Sequence, residues 1–443
     1  MKTEPNYKNK KYAHFDRRAD VNSLKTLIES PKWVAKHGFY PFIHYVIEFK
    51  KFNNKTKKLK PKKRHVYYSS HIDRYIYELY AHKLNEVYNE RLKRDCTNKC
   101  SIAYRNNFDK KSNIHFAKEV FDYIKQIESS YVIIGDFTSF FDKLDHRYLK
   151  ERLCDLLNVE ELPEDYYAVY KNITKFSYFE LDYLTKANNI KYKSLNKRER
   201  VLELNDFREK KYKNIKKNTK SYGIPQGSPI SAVLSNVYMI DFDRKINNLI
   251  TTIKGIYRRY SDDFVMVIPK NECSNIIELW KIVSNIINDI QGLELQNEKT
   301  QVYSVENEKL TNCNDLLFEE CPNENSIINY LGFSFNGMNI RIRDKTIIKY
   351  YYRMRRRIRK LNQTTNRSKA IALLHQVYEK YSTTGFNRRR DKKIRGNFLT
   401  YVNRAQEVFG ENEPISSKTD NHLEIINRKI DKDRLKRILA QKS

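Results

Sequence analysis

Residues 257–268, Tyr-Arg-Arg-Tyr-Ser-Asp-Asp-Phe-Val-Met-Val-Ile, decide the fold of this chain. Two adjacent carboxylates, Asp262 and Asp263, separate two runs of β-branched and aromatic residues, a pattern that predicts strand, tight turn and strand. A β-hairpin with two acids at its tip concentrates negative charge on a rigid support. Because such charge is costly unless a cation neutralises it, a divalent metal ion is the expected partner.

A third candidate ligand, Asp136, ends the apolar run 131–136, which predicts a buried strand. A strand end beside a hairpin tip can place Asp136 and Asp262 within reach of the same pair of metal ions. Two Mg²⁺ ions about 3.5–4 Å apart can lower the pKa of a primer hydroxyl and stabilise the attacking and leaving oxygens of a phosphoryl transfer. The alternative is that Asp136 caps a helix and Asp262 and Asp263 form a polar turn. It explains either motif alone better than it explains both together.

Composition and charge indicate a polyanionic partner. The 443 residues include 85 Lys and Arg against 54 Asp and Glu, a formal net charge of +31. Nucleic acid matches this excess better than anionic lipid, and the 33 tyrosines suit stacking on unpaired bases. A Lys- and Asn-rich composition from an AT-biased genome is the alternative for the Lys excess, but it does not explain the clusters of Arg.

The cysteines and the chain terminus give expectations about location. Six cysteines occur, at positions 96, 100, 154, 273, 313 and 321. Cys96 and Cys100 have no matching second pair and no well-spaced His, so reduced thiols are favoured over a zinc site. The N-terminus lacks a hydrophobic signal core, and no apolar run approaches the ~20 residues of a membrane span. We therefore expect a cytoplasmic protein with no membrane partner.

The spacing of apolar residues predicts the order of the elements. Helices are expected over 69–92, 112–127, 144–157 and 275–290, with strands over 131–136, 256–268 and 327–342. Residues 1–60 are expected to form an N-terminal extension with short helices, ending in a basic run at 55–63. Residues 183–221 are polar and strongly basic, which predicts an insertion or a mobile loop. The basic C-terminal region predicts a helix with one apolar face, formed by Tyr351, Met354, Ile358 and Leu361.

Five motifs resemble the palm of a reverse transcriptase, in the order in which that family has them. They are Asp136 with Phe141 five residues later, Gly223-Ile-Pro-Gln-Gly-Ser-Pro229, Tyr260-Ser-Asp-Asp263, Asn297-Glu-Lys-Thr300 and Tyr330-Leu-Gly-Phe333. The resemblance extends from about Lys62 to Phe335, and the Tyr-x-Asp-Asp form favours reverse transcriptases over RNA-templated RNA polymerases. It implies an α+β right-hand polymerase with fingers at 61–130, an antiparallel palm with intervening fingers segments at 131–340, and a helical, basic thumb and tail at 341–443.

The resemblance also implies roles for single residues. Asp136 and Asp262 would be the main ligands of two Mg²⁺ (or Mn²⁺) ions, with Asp263 as an accessory ligand or a structural turn residue. Lys299 would lie near the leaving pyrophosphate, unless it is a solvated surface lysine. Phe141 resembles the steric gate that rejects a ribose 2′-hydroxyl, unless it only packs in the core. The other residues expected at the incoming nucleotide are Phe137, Gln226, Gly227, Lys63, Arg64, Arg74 and Arg105.

Two further regions are implied to hold nucleic acid. Tyr330, Leu331 and Gly332 resemble the turn that grips the primer end. The C-terminal helix fits a thumb that follows a duplex backbone, through contacts that give salt-dependent affinity without base specificity. The thumb residues expected to bind are Arg353, Arg356, Arg357 and Lys360. Their neighbours at 350–352 are three tyrosines, which can stack on bases or pack, and packing is favoured.

The short region after the palm favours a stand-alone enzyme over a polyprotein with a ribonuclease H or endonuclease domain. The segment from Lys62 to Asp73 and the basic helix resemble defence-associated (abortive-infection-type) bacterial reverse transcriptases more than retron enzymes. That resemblance implies cDNA synthesis from dNTPs on a non-coding RNA, directed against phage. Some relatives form homo-oligomers or prime synthesis on a protein side chain, and template-independent synthesis stays open. The rivals are an RNA-synthesising polymerase and a non-enzymatic RNA-binding scaffold with a silent palm.

Overall fold

A computed structural model describes residues 5, 7, 9–53, 58–108, 111–318, 325–383 and 396–440 of the chain. Part of the basic run 55–63, and also Cys321, lies outside these residues. The chain divides into two units. The first contains Met1–Phe108, Gly135–Met266 and Asn275–Thr300, and the second contains Asp109–Ile134, Val267–Ser274 and Gln301–Ser443.

The strands of the described residues form three sheets. In chain order they are β1 (Phe42–Asn53), β2 (Lys58–Tyr68), β3 (Ser129–Asp136), β4 (Ser177–Glu180), β5 (Lys216–Lys217), β6 (Ile256–Tyr260), β7 (Asp263–Pro269), β8 (Gln301–Glu306), β9 (Lys309–Asn312), β10 (Ile328–Tyr330), β11 (Phe333–Phe335) and β12 (Ile340–Ile342). The strand orders are β2-β1-β4-β5, β6-β7-β3-β8-β9 and β10-β11-β12. β1 and β4 are parallel, whereas β1–β2, β3–β8 and β10–β11–β12 are antiparallel.

The helices include every one that the apolar spacing predicts. In chain order they are α1 (Val21–Ile28), α2 (Pro31–Lys36), α3 (His71–Arg94), α4 (Asn113–Gln126), α5 (Phe140–Lys143), α6 (His146–Leu157), α7 (Glu164–Thr174), α8 (Leu181–Ala187), α9 (Tyr192–Leu195), α10 (Leu204–Asn214), α11 (Ser231–Tyr238), α12 (Ile240–Thr252), α13 (Ile276–Asp289), α14 (Asp344–Gln363), α15 (Arg367–Tyr381), α16 (Phe398–Phe409), α17 (His422–Lys429) and α18 (Lys432–Ala440). The helices predicted over 69–92, 112–127, 144–157 and 275–290 correspond to α3, α4, α6 and α13. Their positions follow from local periodicity, which does not depend on the rest of the fold.

Two parts of the predicted organisation were wrong. Residues 1–60 contain the short helices α1 and α2, but also the long strand β1, which pairs with β2 from Ile43↔Tyr68 to Asn53↔Lys58. For residues 183–221 the alternative of a mobile loop was wrong, because they contain α9, α10, β5 and most of α8, while the alternative of an insertion stays a prediction. A few apolar side chains anchor this basic segment, since each is fully or almost fully buried in a cluster with Phe15, Ile43 and Phe179. They are Leu184, Leu195, Val201 and Leu202.

In the second unit, the basic helix α14 has the apolar face that its sequence predicts. Met354, Ile358 and Leu361 are buried against α15, α17 and α18, and Tyr351 packs at the edge of this cluster. Tyr350 is also buried, and its hydroxyl donates a hydrogen bond to the Tyr381 carbonyl oxygen at 2.8 Å. The preference for packing over stacking is therefore confirmed for two of the three tyrosines, while the third, at position 352, is 63% exposed.

Among the described helices, none combines the length and the hydropathy that crossing a membrane requires. Five cysteines lie in the described residues, and all five are free thiols.

Candidate active site

The predicted acidic hairpin is formed by β6 and β7, with Ser261 and Asp262 in its turn. Ser261 has a φ of 62°, in the left-handed region that non-glycine residues seldom adopt. Ser261 is buried and Asp262 is partly buried, whereas Asp263, the first residue of β7, is exposed. The two acids therefore lie in different environments, Asp262 in the turn and Asp263 at the start of β7.

A fully buried ion pair holds this turn in place. The side chains of Arg259 and Asp243 have no exposed surface, and Arg259 Nε and Nη2 donate to the two carboxylate oxygens at 2.8 and 2.6 Å. Arg259 Nη1 donates to the carbonyl oxygen of Ser261 at 2.9 Å. Burial alone would lower the pKa of Arg259, but the adjacent Asp243 carboxylate outweighs burial and raises that pKa. The guanidinium therefore stays charged and ties the turn that carries Asp262 to α12.

Asp136 lies beside the acidic turn, as predicted. The backbone N–H of Phe137 donates to the carbonyl oxygen of Asp262 at 3.2 Å, so the segments that carry the two acids are hydrogen-bonded to each other. Burial raises the pKa of Asp262, and the negative charge of Asp136 raises it further. Lys299 Nζ lies 2.6 Å from Asp136 Oδ2 and supplies a balancing positive charge. Three distant parts of the sequence therefore meet at one point.

Two of the three predicted carboxylates, Asp136 and Asp262, are brought together, and the role of Asp263 as an accessory ligand stays a prediction. Within the described residues, no group of three or more Asp, Glu, His or Cys side chains is arranged to hold a metal ion. Asp136 and Asp262 interact, and Asp263 is exposed at the start of β7. Mg²⁺ is commonly bound by one or two carboxylates together with substrate phosphates and waters. Two partly desolvated carboxylates of like charge fit an ion of that kind.

Phe141 and Gln226, both predicted at the nucleotide, lie in one neighbourhood. Gln226 Nε2 donates to both carboxylate oxygens of Asp142, the residue after Phe141, at 3.2 and 3.3 Å. Gly227 has a φ of 117°, and a Cβ there would lie 2.5 Å from the carbonyl oxygen of Tyr67. Only glycine fits that approach, so the turn rests directly against the end of β2. Both Phe141 and Gln226 remain partly exposed.

Two residues predicted at the nucleotide are structural instead. Phe137 is 1% exposed, and its ring packs against Phe242 and Phe264 with centroids 5.6 and 5.4 Å apart. Arg74 is 4% exposed, on the inward face of α3, where it forms an ion pair with Glu78. Neither side chain is available to a triphosphate, because Phe137 fills the core beneath the acid pair and Arg74 is buried and paired with Glu78.

Arg105 is also committed to the protein's own structure. Its guanidinium donates to Asn89 Oδ1 at 2.8 Å and to the carbonyl oxygens of Asn98 and Ser101, and it lies 4.6 Å from the centroid of the Phe108 ring. Burial lowers the pKa of Arg105. The predicted contact with the triphosphate is therefore replaced by the bracing of a loop.

Lys63 and Arg64 are exposed on β2, but they point to opposite faces of the hairpin. Lys63 Nζ lies 3.2 Å from Glu48 Oε1, whereas Arg64 is paired across the hairpin with Ile47. Since adjacent residues of a strand alternate, at most one of the two can face a given triphosphate.

In the second unit, the predicted primer-grip residues form a tight hairpin. Leu331 and Gly332 connect β10 to β11 with φ values of 45° and 94°, and both positive values are typical of a two-residue turn. Asn113 Nδ2 donates to the carbonyl oxygen of Leu331 at 2.9 Å. Tyr330 is 3% exposed, so Leu331 and Gly332 are the residues that the turn presents. The grip role stays a prediction.

The predicted thumb residues are mostly accessible. Arg353, Arg356 and Lys360 are exposed along α14, opposite its apolar face. Arg357 is partly buried, and its guanidinium donates a hydrogen bond to the side chain of Gln376. Three of the four residues are therefore accessible, and their contact with a phosphate backbone stays a prediction, whereas the fourth joins α14 to α15.

Residues 57–335 match the family described as Reverse transcriptase (RNA-dependent DNA polymerase). The chain belongs to the reverse transcriptase family. The match includes the acid pair, Lys299 and the turn at Gln226, and it places the chain in a family of RNA-directed DNA polymerases, as the motifs predict. The predicted α+β class of a right-hand polymerase is confirmed. A search of curated proteins found no match.

Among solved structures, the chain is similar to telomerases from two Candida species. Apo telomerase from Candida tropicalis, truncated from the C-terminal domain, has 11% identity and a TM-score of 0.40 over 73% of this chain and 58% of that one. Telomerase from Candida albicans in complex with a TWJ fragment of telomeric RNA has 13% identity and a TM-score of 0.37 over 91% and 64%. The chain thus spans less than two thirds of the length of either telomerase chain.

Two structural roles in the site were not predicted. Arg259 lies within the stretch that identifies the fold, and an arginine buried in a strand requires a buried partner. That partner, Asp243, is on α12, and the residues around it in the sequence do not indicate that its carboxylate is buried. Asp142 likewise follows Phe141 directly, but its contact with Gln226 depends on how two distant segments pack.

Proposed function

We propose that this chain is an RNA-directed DNA polymerase that extends a primer with dNTPs on an RNA template. The observation that supports it is the meeting of Asp136, Asp262 and Lys299. Lys299 Nζ is 2.6 Å from Asp136 Oδ2, and the charge of Asp136 contributes to the raised pKa of Asp262. Two carboxylates and one ammonium form a charge pattern that suits phosphoryl transfer, and the family match indicates the reaction.

We propose that Asp136 and Asp262 hold the divalent metal ions of the reaction, Mg²⁺ or Mn²⁺. When bound, two such ions lower the pKa of the primer hydroxyl and stabilise the leaving oxygen. The carboxylate pair matches the oxygen ligands that hard cations prefer, and bound substrate phosphates would complete the coordination. Lys299 neutralises Asp136, and its ammonium would supply positive charge to the pyrophosphate as it leaves.

We propose that Phe141, together with Gln226, selects the sugar of the incoming nucleotide. The hydrogen bonds from Gln226 Nε2 to Asp142 restrict the orientation of the amide. Phe141 directly precedes Asp142, and its ring would then occupy the space that a ribose 2′-hydroxyl needs. Replacing Phe141 with Ala should relax the rejection of rNTPs, and an unchanged dNTP/rNTP preference would contradict this assignment.

For the biological role, we propose a defence-associated bacterial enzyme that copies a non-coding RNA in the cytoplasm. The support is the resemblance of the Lys62–Asp73 segment and of the basic helix α14 to that class. The exposed Arg353, Arg356 and Lys360 provide a surface for the RNA–cDNA duplex. Sequencing the RNA and any attached DNA that copurify with the protein tests this role, and recovery of bulk cellular RNA alone would contradict it.

Incorporation of a labelled dNTP on an RNA template with a DNA primer tests the polymerase assignment. Asp262→Asn preserves the shape of the side chain and removes its charge, so it should abolish metal-dependent incorporation. Asp289→Asn is the matched control, because Asp289 is 61% exposed and forms a surface ion pair with Lys245. Wild-type activity in Asp262→Asn would contradict the metal site. RNA binding by the wild type without incorporation on any template would favour the scaffold.

A further inference from the structure

Tyr104 is an exposed aromatic residue on a strained backbone, and none of the roles described above involves its side chain. Its φ is 61°, in the left-handed region where bulky residues are true outliers. The side chain is 45% exposed, although Ile102 and Ala103 immediately before it are buried at 4% and 1%. A residue that served only the core would bury its ring, so this conformation needs another reason.

Buried amides hold the strained backbone in this conformation. Asn85 Nδ2 donates to the carbonyl oxygen of Tyr104 at 2.9 Å, and Asn236 Nδ2 donates to the carbonyl oxygen of Ala103 at 2.9 Å. The two asparagines are 8% and 1% exposed. The Arg105 guanidinium anchors the following residue to the same loop. Strained conformations persist only where the surroundings enforce them, and they cluster at ligand contacts.

The ring of Tyr104 lies at the acidic turn. Its hydroxyl donates to Ser261 Oγ at 3.3 Å, and Ser261 directly precedes Asp262. The ring centroid is 6.4 Å from that of Tyr260, at the end of β6. The strain thus places an aromatic surface, almost half of it open to solvent, next to a carboxylate of the proposed polymerase site.

We propose that Tyr104 stacks on a nucleobase bound at this site, and this proposal rests on the proposed polymerase function. Every base has a π-face, so an open aromatic ring can stack on an unpaired base whatever its sequence. Two sources present that chemistry beside the acid pair, the templating base and the base of the incoming dNTP. A rival explanation is that the hydroxyl positions Ser261 and that the ring contacts no base.

Tyr104→Leu and Tyr104→Phe separate these two roles. Leucine removes the aromatic face, and because it is not β-branched it tolerates the left-handed backbone about as well as tyrosine. Phenylalanine keeps the ring and removes the hydroxyl. Tyr167→Leu is the matched control, since Tyr167 is 44% exposed on α7. Thermal unfolding of all four proteins checks that the fold is unchanged.

Two measurements identify the source of the base. The first is the dissociation constant of an RNA–DNA template–primer without metal, by fluorescence anisotropy, with a normal or an abasic templating position. The second is the KM for the dNTP. We expect Tyr104→Leu to raise either the dissociation constant or the KM by about 5- to 150-fold, the range that corresponds to stacking on one base. Tyr104→Phe and Tyr167→Leu should stay within about twofold of the wild type, well below that range.

The outcomes are distinct. If the templating base stacks, the abasic template lowers wild-type affinity to that of Tyr104→Leu and has little effect on the variant. If the dNTP base stacks, only the KM rises. A Tyr104→Leu variant equal to the wild type in both measurements overturns the proposal, and so does a Tyr104→Phe variant as impaired as Tyr104→Leu. Absence of incorporation by the wild type would instead contradict the polymerase function, while the anisotropy measurement would still decide on stacking of the template.

Discussion

Replacing Asp243 with asparagine should destabilise the protein far more than the small change in shape suggests. The Asp243 carboxylate is fully buried, and it accepts hydrogen bonds from Arg259 at 2.8 and 2.6 Å and from the Tyr257 hydroxyl at 2.7 Å. Asn preserves one acceptor oxygen but leaves the guanidinium charge buried without a counter-charge. Because removing one partner of a buried pair costs about 3–5 kcal/mol, we expect the free energy of unfolding to fall by that amount.

Urea unfolding followed by circular dichroism measures this change. Glu151→Gln is the control, since the Arg147–Glu151 pair is 88% and 50% exposed and should contribute at most about 1 kcal/mol. Arg259→Lys adds a functional test. Lysine can still pair with Asp243, but a single ammonium lacks the fork that also reaches the Ser261 carbonyl. We expect a smaller loss of stability together with a large loss of dNTP incorporation.

Two results would refute the structural role of this pair. One is a loss below about 1 kcal/mol for Asp243→Asn, the level of an exposed pair, because a buried guanidinium without its partner cannot be that well tolerated. The other is wild-type polymerase activity in Arg259→Lys. That result would show that the turn carrying Asp262 keeps its conformation without the hydrogen bond from Arg259 Nη1.

Three further predictions test other parts of the structure. Burial lowers the pKa of His14 to about 3, so this histidine stays neutral in the folded protein while it becomes protonated in the unfolded chain below pH 6.5. The free energy of unfolding should therefore fall by about 1.4 kcal/mol per pH unit below that pH. His14→Gln should remove this loss, as measured by urea titrations at pH 7 and pH 5. Gly227→Ala should lower both the melting temperature and dNTP incorporation, because its Cβ would lie 2.5 Å from the Tyr67 carbonyl oxygen. Arg353→Gln should reduce the slope of log affinity against log salt for an RNA–DNA duplex by about 1, as expected for one lost phosphate contact.

Each of these predictions has a result that would contradict it. For His14→Gln, it is a pH dependence of stability as steep as that of the wild type. For Gly227→Ala, it is a melting temperature equal to that of Gly38→Ala, a control where an added Cβ meets nothing within 4 Å. For Arg353→Gln, it is an unchanged salt slope, which would place this side chain away from the duplex.

The parts of the fold that were predictable are those specified by neighbouring residues. Helices α3, α4, α6 and α13 follow from the recurrence of apolar residues every three to four positions. The β6–β7 hairpin follows from two β-prone runs around two acids. The strand β1 was missed because the basic run in its partner looked like a solvated segment, although alternation lets a strand carry charges on exposed positions.

The candidate site was predictable in its acids and not in its basic residues. Asp136 and Asp262 follow apolar strands, so their positions at strand ends could be inferred. Arginine, by contrast, serves buried pairs and phosphate contacts equally well. Arg74 and Arg105 therefore look like nucleotide ligands in the sequence, while their burial and hydrogen bonds assign them to the protein interior.

The sequence by itself determined the family, the acidic hairpin and the amphipathic helix α14, because these depend on residue types at short, regular spacings. The tertiary structure decided which charges meet. It brought Lys299 to Asp136, paired Arg259 with Asp243, left Asp263 exposed and exposed the ring of Tyr104 at the turn. The physical reason is that a charge acts over a few ångströms, and the residues within that distance are set by packing between segments far apart in the chain.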